Sequence, residues 1–211
     1  MKAVCFAVLV VVAARPVAAQ GGWVLGGGIA FVEYRVDAGY GPERFNGPGL
    51  ELNMARHFGS RVTLGLSGTG AGLQAAASGD LDRRLGEADA SARFMVTPVW
   101  GVYGGVTWRA ISNDAGRQHW VFGRLGAELR PTFSGDRIHA VGRLGFVPFV
   151  SVEGLSSASI TVDGAVGLEY EHSRVTLGLL YGVERFAFTS AGDVDRVEQL
   201  SKLTLRAGLR L

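Results

Sequence analysis

The chain has 211 residues, with 21 Lys and Arg against 19 Asp and Glu. Residues 1–19, which we interpret as a signal peptide, contain Lys2 and Arg15 but no acid, so the mature chain has 21 − 2 = 19 basic and 19 acidic residues. This neutral balance argues against nucleic acid or an acidic polymer as the main partner. The single cysteine, Cys5, lies within the signal, which excludes disulfides and cysteine-ligated metals from the mature chain.

Residues 1–19 have the pattern of an export signal. Lys2 gives a charged start, residues 4–14 form an apolar run, and Val17-Ala18-Ala19 is a small-residue cleavage site. The apolar run is about eleven residues long, shorter than the ~20 that a spanning helix needs, and no later stretch comes closer. If residues 20–211, the mature domain, span a membrane, they must do so with strands.

The mature chain contains ten segments in which apolar and polar residues alternate. Repeated segments of this kind, separated by turn residues, are typical of a membrane barrel. They predict an all-β fold, a closed antiparallel up-and-down transmembrane β-barrel of ten strands, with eight strands as the alternative. The segments are approximately 22–37, 48–58, 61–75, 86–97, 99–111, 119–131, 137–152, 158–171, 174–189 and 198–211.

The first segment shows two phases of alternation. Trp23, Leu25 and Ile29 set one phase, whereas Tyr34 and Val36 set the other. Two explanations remain open here: a β-bulge in the glycine run 26–28, or a strand end that extends beyond the membrane.

The segment from Trp100 to Ala110 has the clearest alternation, and its apolar face carries Trp100 and Trp108. Eight residues span ~26 Å along a strand, or ~20 Å along the axis of a barrel whose strands tilt by ~40°, close to the ~25 Å apolar band of membrane barrels. We therefore predict aromatic girdles at the two membrane surfaces. Their members are Trp23, Trp100, Trp108 and Tyr170.

The connections between segments alternate in length. Long links at 38–47 and 76–85 are followed by tight turns at 59–60 and 97–98, and the rhythm continues to the long link at 190–197. Outer-membrane barrels have short periplasmic turns and longer outer loops. The order long, short, long, short therefore predicts a chain that starts and ends in the periplasm.

The whole mature chain resembles the small outer-membrane β-barrels of bacterial envelopes, the OmpA/OmpX-like family. The resemblance rests on alternation, girdle tryptophans and loop rhythm rather than on a motif. It implies a monomer in outer-membrane lipid, inserted by the barrel-assembly machinery. Members usually end in a strand closed by Phe or Trp; here the last strand alternates from Leu203 but ends in Leu211.

The polar faces carry charges, which must point into the barrel because a charge facing lipid near the midplane costs ~2 to 4 kcal/mol. A lumen of eight to ten strands is only wide enough for side chains or a small ligand. We predict a lumen ion-pair network of Arg93, Arg109, Arg124, Glu128, Arg143, Glu169, Glu184 and Arg206. The other inward charges and histidines are Glu51, His57, Glu87, Asp89, Arg130, His139, Asp163, Lys202 and Arg210.

The sequence gives little sign of catalysis or cofactor binding. His119 lies near Asp114 at the predicted outer rim, but no serine stands at a convincing spacing. The acidic pairs at 80 and 82 and at 193 and 195 lack the EF-hand pattern, and the glycine run 26–28 lacks a GxGxxG motif or a Walker lysine. We expect no enzyme activity, no cofactor and no metal site.

The sequence leaves four functions to compare. The first is a structural or surface-interaction protein of the cell envelope, and the second is a porin-like narrow channel or small-ligand carrier. A lipid-modifying barrel enzyme is the third, motivated only by His119. The fourth, a soluble periplasmic barrel, requires a polar exterior and an apolar interior, the reverse of the pattern in segments eight to ten.

Overall fold

The computed structural model describes residues 22–39, 41–77, 81–133, 137–155, 158–188 and 196–211, so the predicted signal peptide lies outside the described residues. Ten long strands account for most of the described chain. They are β1 (Trp23–Asp37), β2 (Pro42–Phe58), β3 (Val62–Ala75), β4 (Arg83–Met95), β5 (Trp100–Asn113), β6 (Gly116–Leu129), β7 (Ile138–Val152), β8 (Ala158–His172), β9 (Val175–Phe188) and β10 (Arg196–Arg210).

Each strand pairs antiparallel with its neighbours in sequence, and β10 pairs with β1 to close the barrel. A two-residue strand, Thr132–Phe133, follows β6 and pairs with the start of β7. The prediction of a closed ten-stranded antiparallel barrel is confirmed. Among the described residues, no helix is long and apolar enough to cross a membrane.

The strand register fixes the tilt of the strands. A row of paired residues can be followed around the barrel from Glu51 on β2. In one direction it crosses β3, β4 and β5 and reaches Trp120 on β6. In the other direction it crosses β1, β10, β9, β8 and β7 and reaches Thr132, in the short strand that follows β6. The row therefore closes with an offset of 132 − 120 = 12 residues. For ten strands spaced ~4.8 Å apart and rising ~3.3 Å per residue, this offset gives a tilt of about 40°.

The two ends of the barrel differ, and we name them by their connections. The terminal end holds Gly22 and Leu211, together with the turns at 59–61, 96–99 and 173–174. The loop end is the end at which β1, β3, β5, β7 and β9 finish and the next strand along the chain begins.

An apolar belt covers the exterior of the strands. Side chains of one parity on each strand are exposed and almost all are aliphatic or aromatic. Removing apolar surface of this kind from water is favourable by ~25 cal/mol per Å² of surface removed. The belt includes Leu25, Ile29, Phe31, Leu50, Leu52, Leu64, Leu66, Val102, Val106, Leu125, Leu129, Leu144, Phe146, Val162, Val166, Leu168, Leu177, Leu179, Leu203, Leu205 and Leu209.

Strand β1 keeps a single phase throughout. Its pairing with β2 and β10 runs without a register shift, and Val32, Tyr34 and Val36 are buried inside the barrel. Exposed or half-buried polar side chains, including Glu33 and Arg35, continue the outward face. The bulge explanation for the first segment is therefore wrong. Beyond the belt the exterior of β1 becomes polar and its interior apolar, as the extension explanation expects.

The same extension shortens the connections at the loop end. The link predicted at 38–47 is only 38–41, because β2 already begins at Pro42. The link predicted at 76–85 is 76–82, because β4 begins at Arg83. The expected contrast between long outer loops and tight turns is weaker than the sequence suggested.

Candidate functional site: the filled lumen

The interior at the loop end is filled by an apolar layer. Its first half is a cluster from strands β1 to β5 and β10, in which Val32, Phe45 and Leu73 are almost completely buried. These residues occupy inward positions in the parts of their strands that lie toward the loop end. Inside the barrel they form a core like that of a soluble protein. The complete cluster is Ala30, Val32, Tyr34, Val36, Phe45, Leu73, Leu85, Ile111 and Leu200.

The second half of the apolar layer is aromatic. The rings of Trp120 and Phe186 meet edge to face with centroids 5.1 Å apart, and Phe122 meets Phe186 in the same way at 5.2 Å. Phe188 and Val152 complete this buried cluster. Edge-to-face pairs of this kind contribute ~0.5–1.5 kcal/mol beyond the burial of their area, so the layer is expected to be rigid.

A tyrosine hydroxyl and a carboxylate are buried together within the apolar layer. The hydroxyl of Tyr34 donates to the carboxylate of Glu198, which also accepts from Arg196 Nε at 2.7 Å. The guanidinium of Arg83 stacks 3.9 Å from the ring centre of Phe45 and pairs with Glu43 Oε2 at 2.7 Å. Tyr34 and Arg196 thus provide the partners that the buried carboxylate of Glu198 requires.

Below the apolar layer lies a central ion-pair layer around Arg109. Its guanidinium, with 2% of the side chain exposed, donates to Glu87 Oε2 at 2.6 Å and to Glu184. Arg124 bridges Glu184 Oε1, at 3.0 Å, and Asp89. The guanidinium carbon of Arg109 also lies 5.0 Å from the ring centre of Phe122, which joins this layer to the apolar one.

Lys202 extends the central layer to the other side of the lumen. Its Nζ lies 3.4 Å from Glu51 Oε2 and 3.3 Å from Glu87 Oε1, and it donates to Thr69 Oγ1 at 3.3 Å. Because Glu87 binds both Lys202 and Arg109, the pairs form one connected network rather than separate bridges.

A tyrosine crosses the lumen beside this layer. Tyr103 on β5 donates to Asp163 Oδ2 on β8 at 2.6 Å. To reach it, the ring passes over two glycines: a Cβ added at Gly126 would lie 2.7 Å from Tyr103 Cε1, and one added at Gly145 would lie 2.5 Å from its Oη. Strands β6 and β7 therefore need glycine at these two positions.

A terminal ion-pair layer fills the other half of the lumen. Glu128 accepts from Arg93 Nη1 at 2.8 Å and from Arg143 Nε at 2.6 Å. Glu169 pairs with Arg206 and with Arg130. Near the terminal end, Glu171 pairs with Arg130 and Arg210.

All eight residues of the predicted ion-pair network lie in the lumen, and each makes an ion pair. Arg109, Arg124 and Glu184 meet in the central layer. The other five lie in the terminal layer: Arg93, Glu128, Arg143, Glu169 and Arg206.

The four predicted girdle residues all lie on the exterior and are exposed. Trp23 and Trp100 begin their strands at the terminal end, and Tyr170 lies near the same end of β8. The guanidinium of Arg56 lies 5.2 Å from the ring centre of Trp23. Trp108 lies toward the loop end and contacts His119, with ring centroids 5.8 Å apart.

Cavities remain between these side chains. One of about 230 Å³ lies within the terminal ion-pair layer and reaches Glu51 and Asp89 of the central layer, and one of about 150 Å³ lies beside the central layer. The third, of about 310 Å³, is the mouth of the lumen at the terminal end. At this mouth His57 Nδ1 lies 3.0 Å from Thr63 Oγ1, and His139 Nδ1 lies 3.0 Å from Thr132 Oγ1.

Sequence reasoning missed two parts of the lumen. The apolar layer was not predicted, although Val32, Tyr34 and Val36 are its signal in the sequence. Glu87 and Lys202 were assigned to the inward face but not to the network, where they connect several charges. In the described parts of the chain, no group of three or more His, Asp or Glu side chains could hold a metal ion.

Comparison with known proteins identifies the architecture. No family model and no curated protein sequence matches this chain. The outer membrane protease OmpT from Escherichia coli aligns over 90% of this chain and 96% of its own, with 9% identity and a TM-score of 0.52. This is the fold of the outer-membrane β-barrels.

Two further solved structures align over the same share of this chain as OmpT does, but with lower TM-scores. The translocator domain of the autotransporter NalP from Neisseria meningitidis covers 90% of this chain and 88% of its own, at 12% identity and TM-score 0.49. Ail from Yersinia pestis covers 90% and 99%, at 15% identity and TM-score 0.42. At these identities the similarity concerns fold and not activity. The narrower OmpA/OmpX-like resemblance stays a prediction.

Proposed function

We propose that the protein is an integral outer-membrane barrel with a structural role, in which the loop end faces outward and the terminal end faces the periplasm. The apolar belt and its aromatic residues support this location, since membrane barrels present an apolar band flanked by aromatic girdles to lipid. Its partners are then outer-membrane lipid and, during insertion, the barrel-assembly machinery. We propose that it acts as a monomer.

The observation that carries the structural role is the filled lumen. An apolar layer and two ion-pair layers follow one another along the axis, and Val32, Phe122 and Glu128 are fully buried within them. Ions crossing the lumen would have to displace packed aromatic rings and break several connected ion pairs. Because breaking one buried pair costs ~3–5 kcal/mol, spontaneous opening should be rare.

Planar-bilayer recording tests this role. We expect the purified, refolded protein to give no discrete current steps, whereas a porin measured in the same bilayers conducts. A second sample carrying Ser91→Lys, which adds a charge beside two lumen cavities, identifies the source of any current. Steps whose ion selectivity changes with this substitution would come from this lumen and would contradict the proposal.

We also propose that the barrel is not an enzyme. The only histidine that the sequence singled out, His119, occupies an outward position on β6 and contacts Trp108. His57 and His139 contact threonine hydroxyls at the mouth of the lumen. These positions favour roles in packing and hydrogen bonding over proton transfer.

A further inference from the structure

A groove of about 570 Å³ crosses the apolar belt over strands β9, β10, β1, β2 and β3. Its sides are exposed apolar side chains, among them Phe31, Leu50 and Leu205. At Gly70 on β3 the wall of the barrel has no side chain, and a Cβ added there would meet nothing within 4 Å. The exterior therefore has an apolar recess at this place rather than an even surface.

Two arginines lie beyond the groove on the side of the loop end. Arg44 is exposed four residues beyond Pro48, which lines the groove on the same face of β2. Arg84 on β4 pairs in register with Gly72, two residues beyond Gly70 on the outward face of β3. Four residues of a strand tilted by about 40° rise ~10 Å along the barrel axis. The two arginines therefore lie where the apolar exterior changes to a polar one.

The exterior around this end of the groove carries more arginines than acids. The charged side chains at outward positions toward the loop end of β9, β1, β2 and β4, with one in the connection between β3 and β4, are Arg185, Arg35, Arg44, Arg84, Glu33, Asp37 and Asp82. The three acids already accept hydrogen bonds, from Arg35 Nε, Gly39 N and Ala75 N respectively. In the described part of the chain, no acid pairs with Arg44 or Arg84.

Arg44 also has another arginine directly opposite it. Arg35 on β1 and Arg44 on β2 are paired in register, and both point outward. Like charges directly opposite each other destabilise a sheet. Glu33 offsets the charge of Arg35 at 2.5 Å, but among the described residues no acid offsets that of Arg44. An anionic group beside Arg44 would remove this repulsion, which water does not do.

The groove and the arginines together fit an amphipathic molecule. Water solvates Arg44 and Arg84 but does not fill an apolar groove. An uncharged lipid fills the groove but supplies no negative charge to the arginines. A phosphate group offers several acceptor oxygens to guanidinium groups and carries the missing charge.

We propose that the groove and the two arginines form a binding site for one phosphate-bearing lipid. An acyl chain lies against Phe31, Leu50 and Leu205, and the phosphate binds Arg44 and Arg84. The inference rests on the proposed location in the outer membrane, with the loop end at one membrane surface. It identifies the lipid by its phosphate and its acyl chain.

Native mass spectrometry of the full barrel, refolded in a non-ionic detergent, measures lipid binding. The probes are dipalmitoylphosphatidic acid and dipalmitoylphosphatidylcholine, which share their acyl chains but differ in net charge. We expect the parent to bind one phosphatidic acid more tightly than phosphatidylcholine. Arg44→Gln and Arg84→Gln should each weaken the binding of phosphatidic acid about tenfold, the equivalent of ~1.4 kcal/mol.

Arg117→Gln is the matched control for the arginines. Arg117 is also exposed at the loop end and has no ion pair among the described residues, but it lies on β6, away from the groove. This variant should bind phosphatidic acid as the parent does. Unboiled samples on a gel show whether each variant has folded into a barrel before its binding is measured.

Filling the groove tests the position of the acyl chain. Gly70→Leu places a side chain in the groove without meeting other protein atoms at its Cβ, and it should weaken the binding of phosphatidic acid about tenfold. Gly142→Leu is its control, because Gly142 on β7 pairs with the exposed Leu129 and a Cβ there also meets nothing within 4 Å. The control should bind phosphatidic acid as the parent does.

Three results would overturn the site. They are equal binding of the two lipids by the parent, equal effects of Arg44→Gln and Arg117→Gln, and lipid-free pairs of barrels that Gly70→Leu abolishes, which would assign the groove to a second copy. Quenching of Trp108 by brominated lipid in vesicles does not involve the groove. If Trp108 is quenched but no selective binding is found, the site alone is wrong. If both are absent, the proposed membrane location is wrong as well.

Discussion

Replacing Arg109 with methionine should lower the free energy of unfolding by about 3–5 kcal/mol, the typical loss when one partner of a buried ion pair is removed. Arg109 is 2% exposed and is the common partner of Glu87 and Glu184. Methionine has a similar length but no charge, so both carboxylates lose a buried partner. Urea unfolding in lipid vesicles, followed by tryptophan fluorescence, measures the difference.

Arg35→Met is the matched control for this experiment. Arg35 also pairs with a glutamate, Glu33 at 2.5 Å, but 42% of its side chain is exposed. Solvent screens a pair as exposed as this one, so it adds little to stability and the variant should unfold almost as the parent does. Similar losses in the two variants would mean that the lumen pairs are as well hydrated as those outside and that the lumen is not packed as described.

Replacing Leu205 with arginine should lower the free energy of unfolding by about 2–4 kcal/mol, the range for arginine facing lipid near the midplane. Leu205 is 53% exposed and pairs in register with Ile29 and Leu179, well inside the apolar belt. Because we propose that lipid covers Leu205, an arginine at this position would have neither water nor an acidic side chain to interact with. The same vesicle unfolding assay measures the effect.

Gln74→Arg provides the comparison for Leu205→Arg. Gln74 is also exposed on the exterior, but it lies next to the last residue of β3 at the loop end, beyond the belt. Arginine near a membrane surface costs ~0–1 kcal/mol, so this variant should be nearly neutral. If Leu205→Arg were equally neutral, the belt would not face lipid.

Where the exterior is apolar, the bounds of the strands were predictable to within a few residues. Apolar and polar residues alternate there, because successive side chains of a strand point to lipid and to the lumen in turn. The main error was the start of β2, which begins at Pro42 rather than 48. In this part Arg44 and Asn46 point outward while Phe45 points into the apolar layer. Polar side chains therefore point outward and apolar ones inward in this stretch, the reverse of the belt. Because Gly47 and Pro48 follow directly, the sequence of this stretch resembles a loop.

The inward residues of the site followed from parity alone, but their pairing did not. Arg109 and Glu184 are 75 positions apart in the chain and meet only because the barrel closes with a twelve-residue offset. That offset depends on the register of all ten strands together.

Quenching of single tryptophans by brominated lipids shows directly whether lipid covers the belt and is excluded from the lumen. Two variants retain only Trp108 or only Trp120, with the other tryptophans replaced by phenylalanine. Trp108 is 45% exposed on the exterior and Trp120 is 1% exposed within the apolar layer. We predict strong quenching of Trp108 and little of Trp120 in vesicles of brominated lipid. Equal quenching of both, or stronger quenching of Trp120, would mean that lipid does not cover the belt or that the lumen is open to it.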